Sequence, residues 1–249
     1  MSHKTSEETR FCLSSDLIHV WVLPVAAPAS QLQKFEKALG KDETERASRF
    51  RFDHLRDAYV LTRGALRHLL SRYLDCEPSG ICFRYGDGGK PELWPPANLH
   101  FNLSHSNGLA VVAVASECPI GIDLECLRPL ADMQEIAGRY FCPEEAVELL
   151  ALAPPLQQRA FFSCWTRKEA FIKAIGDGLA CPLDSFRVSF LPDLDARLIH
   201  INNDAAAAEK WMLHDLPIAP GCVAALAYSA ARRSVSIFHV RTLDELFSK

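Results

Sequence analysis

Leu109-Ala110-Val111-Val112-Ala113-Val114-Ala115-Ser116-Glu117-Cys118-Pro119-Ile120-Gly121-Ile122-Asp123-Leu124-Glu125 contains two apolar runs of strand length, separated by residues 116–119. The uncharged run 109–115 predicts a buried strand, and 120–124 predicts a second, short strand that opens a new half of the chain. Upstream, the pattern predicts a strand over 18–23 and helices over 29–39 and 42–52. A longer helix over 57–74 follows, in which Leu61, Ala65, Leu66, Leu69 and Leu70 recur near helical spacing. Gly86-Asp87-Gly88-Gly89 breaks regular structure, 99–103 reads as a strand and 104–108 as a turn. Downstream, helices are expected over 132–141, 143–151 and 156–175, the last stopped by Gly176-Asp177-Gly178. The remainder falls into strand-length pieces at 186–190, 211–213, 223–227 and 235–240. Strands followed by helices, twice over, predict an α+β chain of two comparable halves, 1–117 and 118–249. No sequence repeat relates them.

With 249 residues, 49% of them hydrophobic, the chain can bury a substantial core. Lys and Arg number 27 against 31 Asp and Glu, a net charge of -4 that gives no global attraction to nucleic acid or an anionic membrane. A phosphate site must therefore be local. The nine cysteines are odd in number and contain no Cys-x-x-Cys pair, which argues against a zinc ribbon and a disulfide framework and for thiols in a reducing compartment. Residues 1–11 are polar, without the apolar stretch of a secretory signal, and no later run approaches the roughly 20 apolar residues that cross a bilayer. A soluble cytoplasmic protein is expected.

Asp123 and Glu125 lie two apart, so a strand points both carboxylates to one face. Such a pair suits magnesium, which takes oxygen ligands and bridges to substrate phosphates; a solvated strand face is the plainer alternative. In Trp165-Thr166-Arg167-Lys168-Glu169-Ala170-Phe171-Ile172-Lys173, Glu169 and Lys173 share a helix face, either as metal ligand or base beside a phosphate-steadying ammonium, or as an exposed pair. Trp165, Phe171 and Ile172 are expected to anchor that helix in the core. Gly88-Gly89-Lys90-Pro91 suits a phosphorylated ligand or a surface turn, and it is not a P-loop. In His100-Phe101-Asn102-Leu103-Ser104-His105-Ser106, Ser104 and His105 could donate to phosphate oxygens, or the cluster could bond its own backbone. No Gly-x-Ser-x-Gly elbow surrounds Ser104, which disfavours a serine hydrolase.

In this order, the Gly-Lys-Pro, Phe-Asn-x-Ser-His-Ser, Ile-Gly-Ile-Asp-x-Glu and Trp-x-x-Lys-Glu-Ala-x-x-Lys motifs resemble the surfactin-synthetase-activating type of 4′-phosphopantetheinyl transferase. The resemblance implies a monomer of two similar α/β halves related by a pseudo-twofold, with coenzyme A and magnesium in the cleft between them. It implies Asp123, Glu125 and Glu169 as metal ligands, and Lys173 as the group that stabilises the leaving adenosine 3′,5′-bisphosphate. Arg46, the loop Tyr85, Gly86, Asp87, Gly88, Gly89, Lys90 and Pro91, and the strand residues Asn102, Leu103, Ser104 and His105 would hold the nucleotide and its phosphates. A serine of an apo acyl or peptidyl carrier protein would attack the β-phosphorus, with Glu169 as base directly or through a water on the metal. Two departures concern substrate contacts: Asp177 stands where relatives often carry a lysine between glycines, and Glu43 occupies an expected basic position. A non-catalytic coenzyme A-binding module would have no need of the three acids. A hydrolase cleaving coenzyme A with water would share them.

Overall fold

The computed structural model describes residues 11–26 and 28–247; the polar start, where no secretory signal is expected, lies, apart from Phe11, outside the described residues. From strand β1 (Leu17–Pro24) the chain runs through helices α1 (Ala29–Ala38), α2 (Lys41–Ala47) and α3 (Asp53–Leu74). A hairpin of β2 (Cys82–Tyr85) and β3 (Pro91–Trp94) and a second of β4 (His100–Ser106) and β5 (Leu109–Ala115) follow. The order then recurs. Strand β6 (Ile120–Cys126) leads to helices α4 (Met133–Tyr140), α5 (Pro143–Ala151) and α6 (Pro154–Ile175), and to the paired strands β7 (Phe186–Val188) and β8 (Leu198–Ile201). After the short helix α7 (Ala205–Ala208) come β9 (Met212–Asp215), β10 (Cys222–Tyr228) and β11 (Ser234–His239).

Sheet order repeats as well. One sheet runs β11-β1-β5-β4 and another β6-β10-β9, so β1, β5 and β4 correspond to β6, β10 and β9. Among the described residues strand β11 has no counterpart: it lies parallel to β1, Leu17 opposite Ser234, and so returns to the first sheet.

Period-two alternation distributes these strands over three cores. Trp21, Leu23, Ala110, Val112 and Val114 pack with Phe35 and with Leu66 and Leu69 of α3. The alternate residues Val20, Val22, Val111 and Ala113 meet Ile120, Ile122, Leu124 and Leu226 between the two sheets. Val223, Ala225 and Ala227 turn the other way, toward Ala170 and Phe171 of α6. The layers are therefore α3, sheet, sheet, α6, and the uninterrupted apolar run 109–115 is the signature of a strand buried on both faces. Phe171 and Ile172 are buried as expected, with Trp165 half-buried beside them. Among the described residues no helix is long and apolar enough to cross a membrane.

Buried ion pairs fasten the long helix of each repeat. Glu43, in the first turn of α2, accepts from the Gly40 amide and pairs with Arg63 and Arg67 of α3, each at 2.5 Å. Glu145, in the first turn of α5, accepts from the Cys142 amide and pairs with Lys168 of α6 at 2.8 Å. Both carboxylates are fully buried, where losing a partner costs about 3–5 kcal/mol. Glu43 is thus a structural acid, which accounts for its presence at a position expected to be basic.

Several boundaries differ from the sequence pattern. The helix expected over 42–52 ends at Ala47 and the next begins at Asp53; in the intervening chain Phe50 lies against Tyr59, ring centroids 5.3 Å apart and tilted by 40°. The turn expected over 104–108 is only Asn107-Gly108, with φ of 46° and 79°; Ser104, His105 and Ser106 belong to β4. The strand over 186–190 ends at Val188. Cys126 and Cys222 form a disulfide, contrary to the expectation of free thiols throughout. They face each other in the β6/β10 register with Cα atoms 4.0 Å apart, a juxtaposition made by strand pairing across 96 residues of sequence.

Gly121 sets how closely α6 approaches β6. A Cβ there would lie 2.0 Å from the Ala170 carbonyl oxygen and 2.3 Å from the Ala174 nitrogen, both backbone atoms that cannot swing aside. Gly121→Ala is therefore expected to lower stability by about 3 kcal/mol, the upper end of ordinary overpacking, and urea unfolding reads this directly.

Candidate active site

The close approach at Gly121 places the acidic face of β6 against one face of α6. Asp123 and Glu125 project to that side, opposite Ile122 and Leu124, as their spacing requires. Lys173 donates from Nζ to Asp123 Oδ1 at 2.7 Å, and also to Ser104 Oγ at 3.1 Å and the Ile122 carbonyl at 3.3 Å. Ser104 donates to the same Oδ1 at 2.8 Å. Asp123 Oδ2 is buried with no hydrogen-bond partner. Glu125 accepts at Oε2 from Ser106 at 3.0 Å and from Arg128 at 2.9 Å.

Glu169 lies half-buried on α6, one turn before Lys173. Burial raises its carboxyl above the ordinary range, the Asp123 charge adds to the rise, Lys173 opposes it and Glu125 contributes further. The three acids thus share one electrostatic neighbourhood. Among the described residues no three His, Cys, Asp or Glu side chains form a ready-made metal cage. Lys173 and Arg128 hold two of the carboxylates instead. The orphaned Asp123 oxygen, beside two more carboxylates, is nevertheless the environment a hard cation satisfies, with the remaining ligands from solvent and substrate oxygens.

Strand β4 reaches this site from the other large sheet. Its alternate side chains cap the open edge of β6: Asn102 Oδ1 accepts from the Ile122 amide at 2.9 Å, Ser104 Oγ from Leu124 at 3.3 Å and Ser106 Oγ from Cys126 at 3.2 Å. These three side chains do for β6 what a neighbouring strand would do. Leu103 packs on the α3 core, while His105 is exposed.

Tyr85 to Pro91 form the end of the β2/β3 hairpin, closed by Gly86 N to Lys90 O at 3.1 Å and Gly89 N to Gly86 O at 2.8 Å. Gly88 packs on the glycine segment after α6: a Cβ there would stand 2.2 Å from the Gly176 oxygen. Asp87 and Gly86 are exposed at the tip. Lys90 is half-buried at the base of the hairpin. Its Nζ donates to the Ile120 carbonyl at 2.9 Å and the Ala174 carbonyl at 3.3 Å, and burial brings its pKa down to about 8. Tyr85 donates to Asp42 at 3.0 Å and accepts from Arg63 at 3.1 Å; its hydroxyl is pushed up to about 12, chiefly by burial. Arg46 is exposed, its guanidinium 5.5 Å over the Tyr59 ring.

A cleft of about 510 Å³ opens beside these groups, lined in part by Gly88, Arg139, Tyr140, Glu169, Lys173 and Leu183. Sequence spacing draws Asp123, Glu125, Glu169 and Lys173 together in pairs, and the fold merges the pairs. Arg139 and Tyr140 carry no motif that would have singled them out.

This arrangement of acids, ammonium and cleft suits charge-stabilised group transfer, and comparison with known proteins gives the class. Residues 119–227 match the 4′-phosphopantetheinyl transferase superfamily, and residues 26–118 match the N-terminal domain described as 4′-phosphopantetheinyl transferase. The chain is 41% identical over 218 residues to the 4′-phosphopantetheinyl transferase HetI of Nostoc sp., covering 86% of this chain and 89% of HetI. It is 36% identical over 170 residues to the 4′-phosphopantetheinyl transferase Sfp of Bacillus subtilis, 64% of this chain and 75% of Sfp. It is also 39% identical over 110 residues to the 4′-phosphopantetheinyl transferase AcpT of Salmonella typhimurium, 44% of this chain and 56% of AcpT. The chain belongs to the 4′-phosphopantetheinyl transferase family and is a transferase enzyme.

Proposed function

We propose that this enzyme is a magnesium-dependent transferase of the surfactin-synthetase-activating type, acting as a cytoplasmic monomer. It moves the phosphopantetheine arm of coenzyme A onto a serine of an apo acyl or peptidyl carrier protein. The observation that carries the reading is the buried, unpartnered Oδ2 of Asp123, an acid whose other oxygen Lys173 holds and whose charge is felt, with that of Glu125, at Glu169. The repeated order of elements and strands, with a buried acid fastening the long helix each time, supports two halves, 1–117 and 118–249, related by a pseudo-twofold.

Asp123, Glu125 and Glu169 would hold magnesium, which when bound offsets negative charge on the pyrophosphate oxygens. The serine oxygen forms a bond to the β-phosphorus as the bond from that phosphorus to the bridging oxygen breaks. The electron pair leaves on adenosine 3′,5′-bisphosphate, beside the Lys173 ammonium, and Glu169 takes the serine proton. Positioning and charge stabilisation supply most of the acceleration in such transfers. Arg46, the 85–91 loop and the 102–105 stretch would grip the nucleotide, Lys90 doing so by fixing the hairpin rather than by touching phosphate.

A coenzyme A hydrolase would use the same acids with water. The two readings separate on release of adenosine 3′,5′-bisphosphate, which transfer requires to depend on both magnesium and an apo carrier; release without carrier favours hydrolysis. If Arg46 and His105 read the 3′-phosphate, Arg46→Ala and His105→Ala weaken binding of coenzyme A more than of dephospho-coenzyme A in calorimetric titration. Equal losses for the two ligands would remove both residues from that role.

A further inference from the structure

We propose that Ser106 is a positioning residue for the cation site, a hydroxyl of one half that orients the Glu125 carboxylate of the other. This rests on the magnesium reading given above. A serine hydroxyl has one proton to donate. The Cys126 amide donates to Ser106 Oγ at 3.2 Å, and Cys126 is itself fixed to β10 by the disulfide, so the proton is directed to Glu125 Oε2 at 3.0 Å. Ser104 repeats the arrangement one step earlier, accepting from the Leu124 amide at 3.3 Å and donating to Asp123 Oδ1 at 2.8 Å. In both cases the serine engages one carboxylate oxygen. The other Asp123 oxygen is the buried atom that lacks a partner, and the bonds to Glu125 fall on Oε2 alone. Two alternate residues of β4 thus each hold one oxygen of two alternate acids of β6 and leave the other oxygen to a cation, which links cation binding to the contact between β4 and β6.

Arg128 touches the same Glu125 oxygen at 2.9 Å but differs in kind. It is an exposed cation, 56% accessible, and competes with a bound cation for the carboxylate rather than orienting it. The two contacts therefore predict opposite effects. With Mn²⁺ as a paramagnetic probe of the full-length protein without substrate, Ser106→Ala is expected to weaken binding by about 10-fold, as for other groups that orient metal ligands. Ser106→Thr should restore most of it. Arg128→Ala, which truncates an exposed side chain, should bind Mn²⁺ as tightly as the parent or more tightly. In turnover, Ser106→Ala should raise the magnesium concentration for half-saturation by a larger factor than it lowers kcat. An unchanged Mn²⁺ affinity in folded Ser106→Ala, with Asp123→Ala abolishing binding, would overturn the role of Ser106 and leave the cation site standing. So would equal weakening by Ser106→Ala and Arg128→Ala. Absence of any Mn²⁺ binding sensitive to Asp123→Ala would overturn the site itself and this inference with it.

Discussion

Glu169→Gln is expected to lower transfer by about 10² to 10⁴-fold, the usual worth of a positioned general base, while coenzyme A binding falls much less. The substitution keeps size and hydrogen-bonding capacity and removes only the charge. Glu169 is half-buried on α6, with Asp123 and Glu125 close enough to raise its carboxyl further after burial. Lys173 keeps its bonds to Asp123 and Ser104, so the phosphate side of the site is preserved. Were Glu169 and Lys173 only a helix surface pair, the change would cost no more than about 0.5 kcal/mol of stability and leave turnover intact. Steady-state turnover of the folded variant at saturating magnesium decides between these outcomes. A rate within about twofold of the parent, less than 0.5 kcal/mol of transition-state free energy, would remove Glu169 from catalysis.

Asp123→Ala should abolish measurable transfer with little loss of fold. The side chain is 8% exposed and holds both Lys173 and Ser104, so deletion sacrifices a partly buried ion pair. Two facts limit the structural cost. Lys173 remains 27% exposed and keeps Ser104 and the Ile122 carbonyl as acceptors. Deletion also removes the unpartnered Oδ2, whose burial costs about 1–3 kcal/mol. The two contributions oppose each other, whereas loss of charge stabilisation at the reacting centre typically costs about 10² to 10³-fold or more in rate. Activity and the thermal midpoint, measured on the same preparation, should therefore separate. Near-normal activity at limiting magnesium would contradict the assignment, and collapse of the fold would make Asp123 a structural acid like Glu43.

The legible parts of this fold are those whose determinants are local. Strand β5 follows from seven consecutive apolar residues buried on both faces, and α5 from a proline start and helical spacing. The end of α6 follows from Gly176, whose φ of 86° is left-handed. Asn107-Gly108 is also a local signal: read as a two-residue hairpin, it extends β4 through Ser106 and puts Ser104 and Ser106 in a strand. The hairpin of β2 and β3 was obscured by its short strands and glycine-rich end, and β8 by its four residues.

In the site, period two and the i,i+4 rule correctly give Asp123 with Glu125 and Glu169 with Lys173 as pairs sharing a face. Their union depends on Gly121 letting α6 onto β6, and neither spacing encodes that contact. The recurring order of strands and helices is legible in the sequence pattern, whereas the matching strand pairing is not. Sheet order shows β1-β5-β4 against β6-β10-β9, and buried Glu43 against Glu145, yet the partners are arginines in one case and a lysine in the other. Lys90 reads as a phosphate ligand from its glycine neighbours. Only the packed structure reveals two carbonyls within reach of its ammonium. The Cys126–Cys222 bond and the return of β11 to β1 likewise arise from long-range strand pairing.

The most direct test of the proposed activity is the intact mass of an apo carrier protein after incubation with the enzyme, magnesium and coenzyme A. Transfer predicts that the carrier gains the mass of one phosphopantetheine group, on the serine that receives it, with one adenosine 3′,5′-bisphosphate released for each carrier modified. A carrier of unchanged mass, across acyl and peptidyl types, while coenzyme A is cleaved or simply bound, would contradict it.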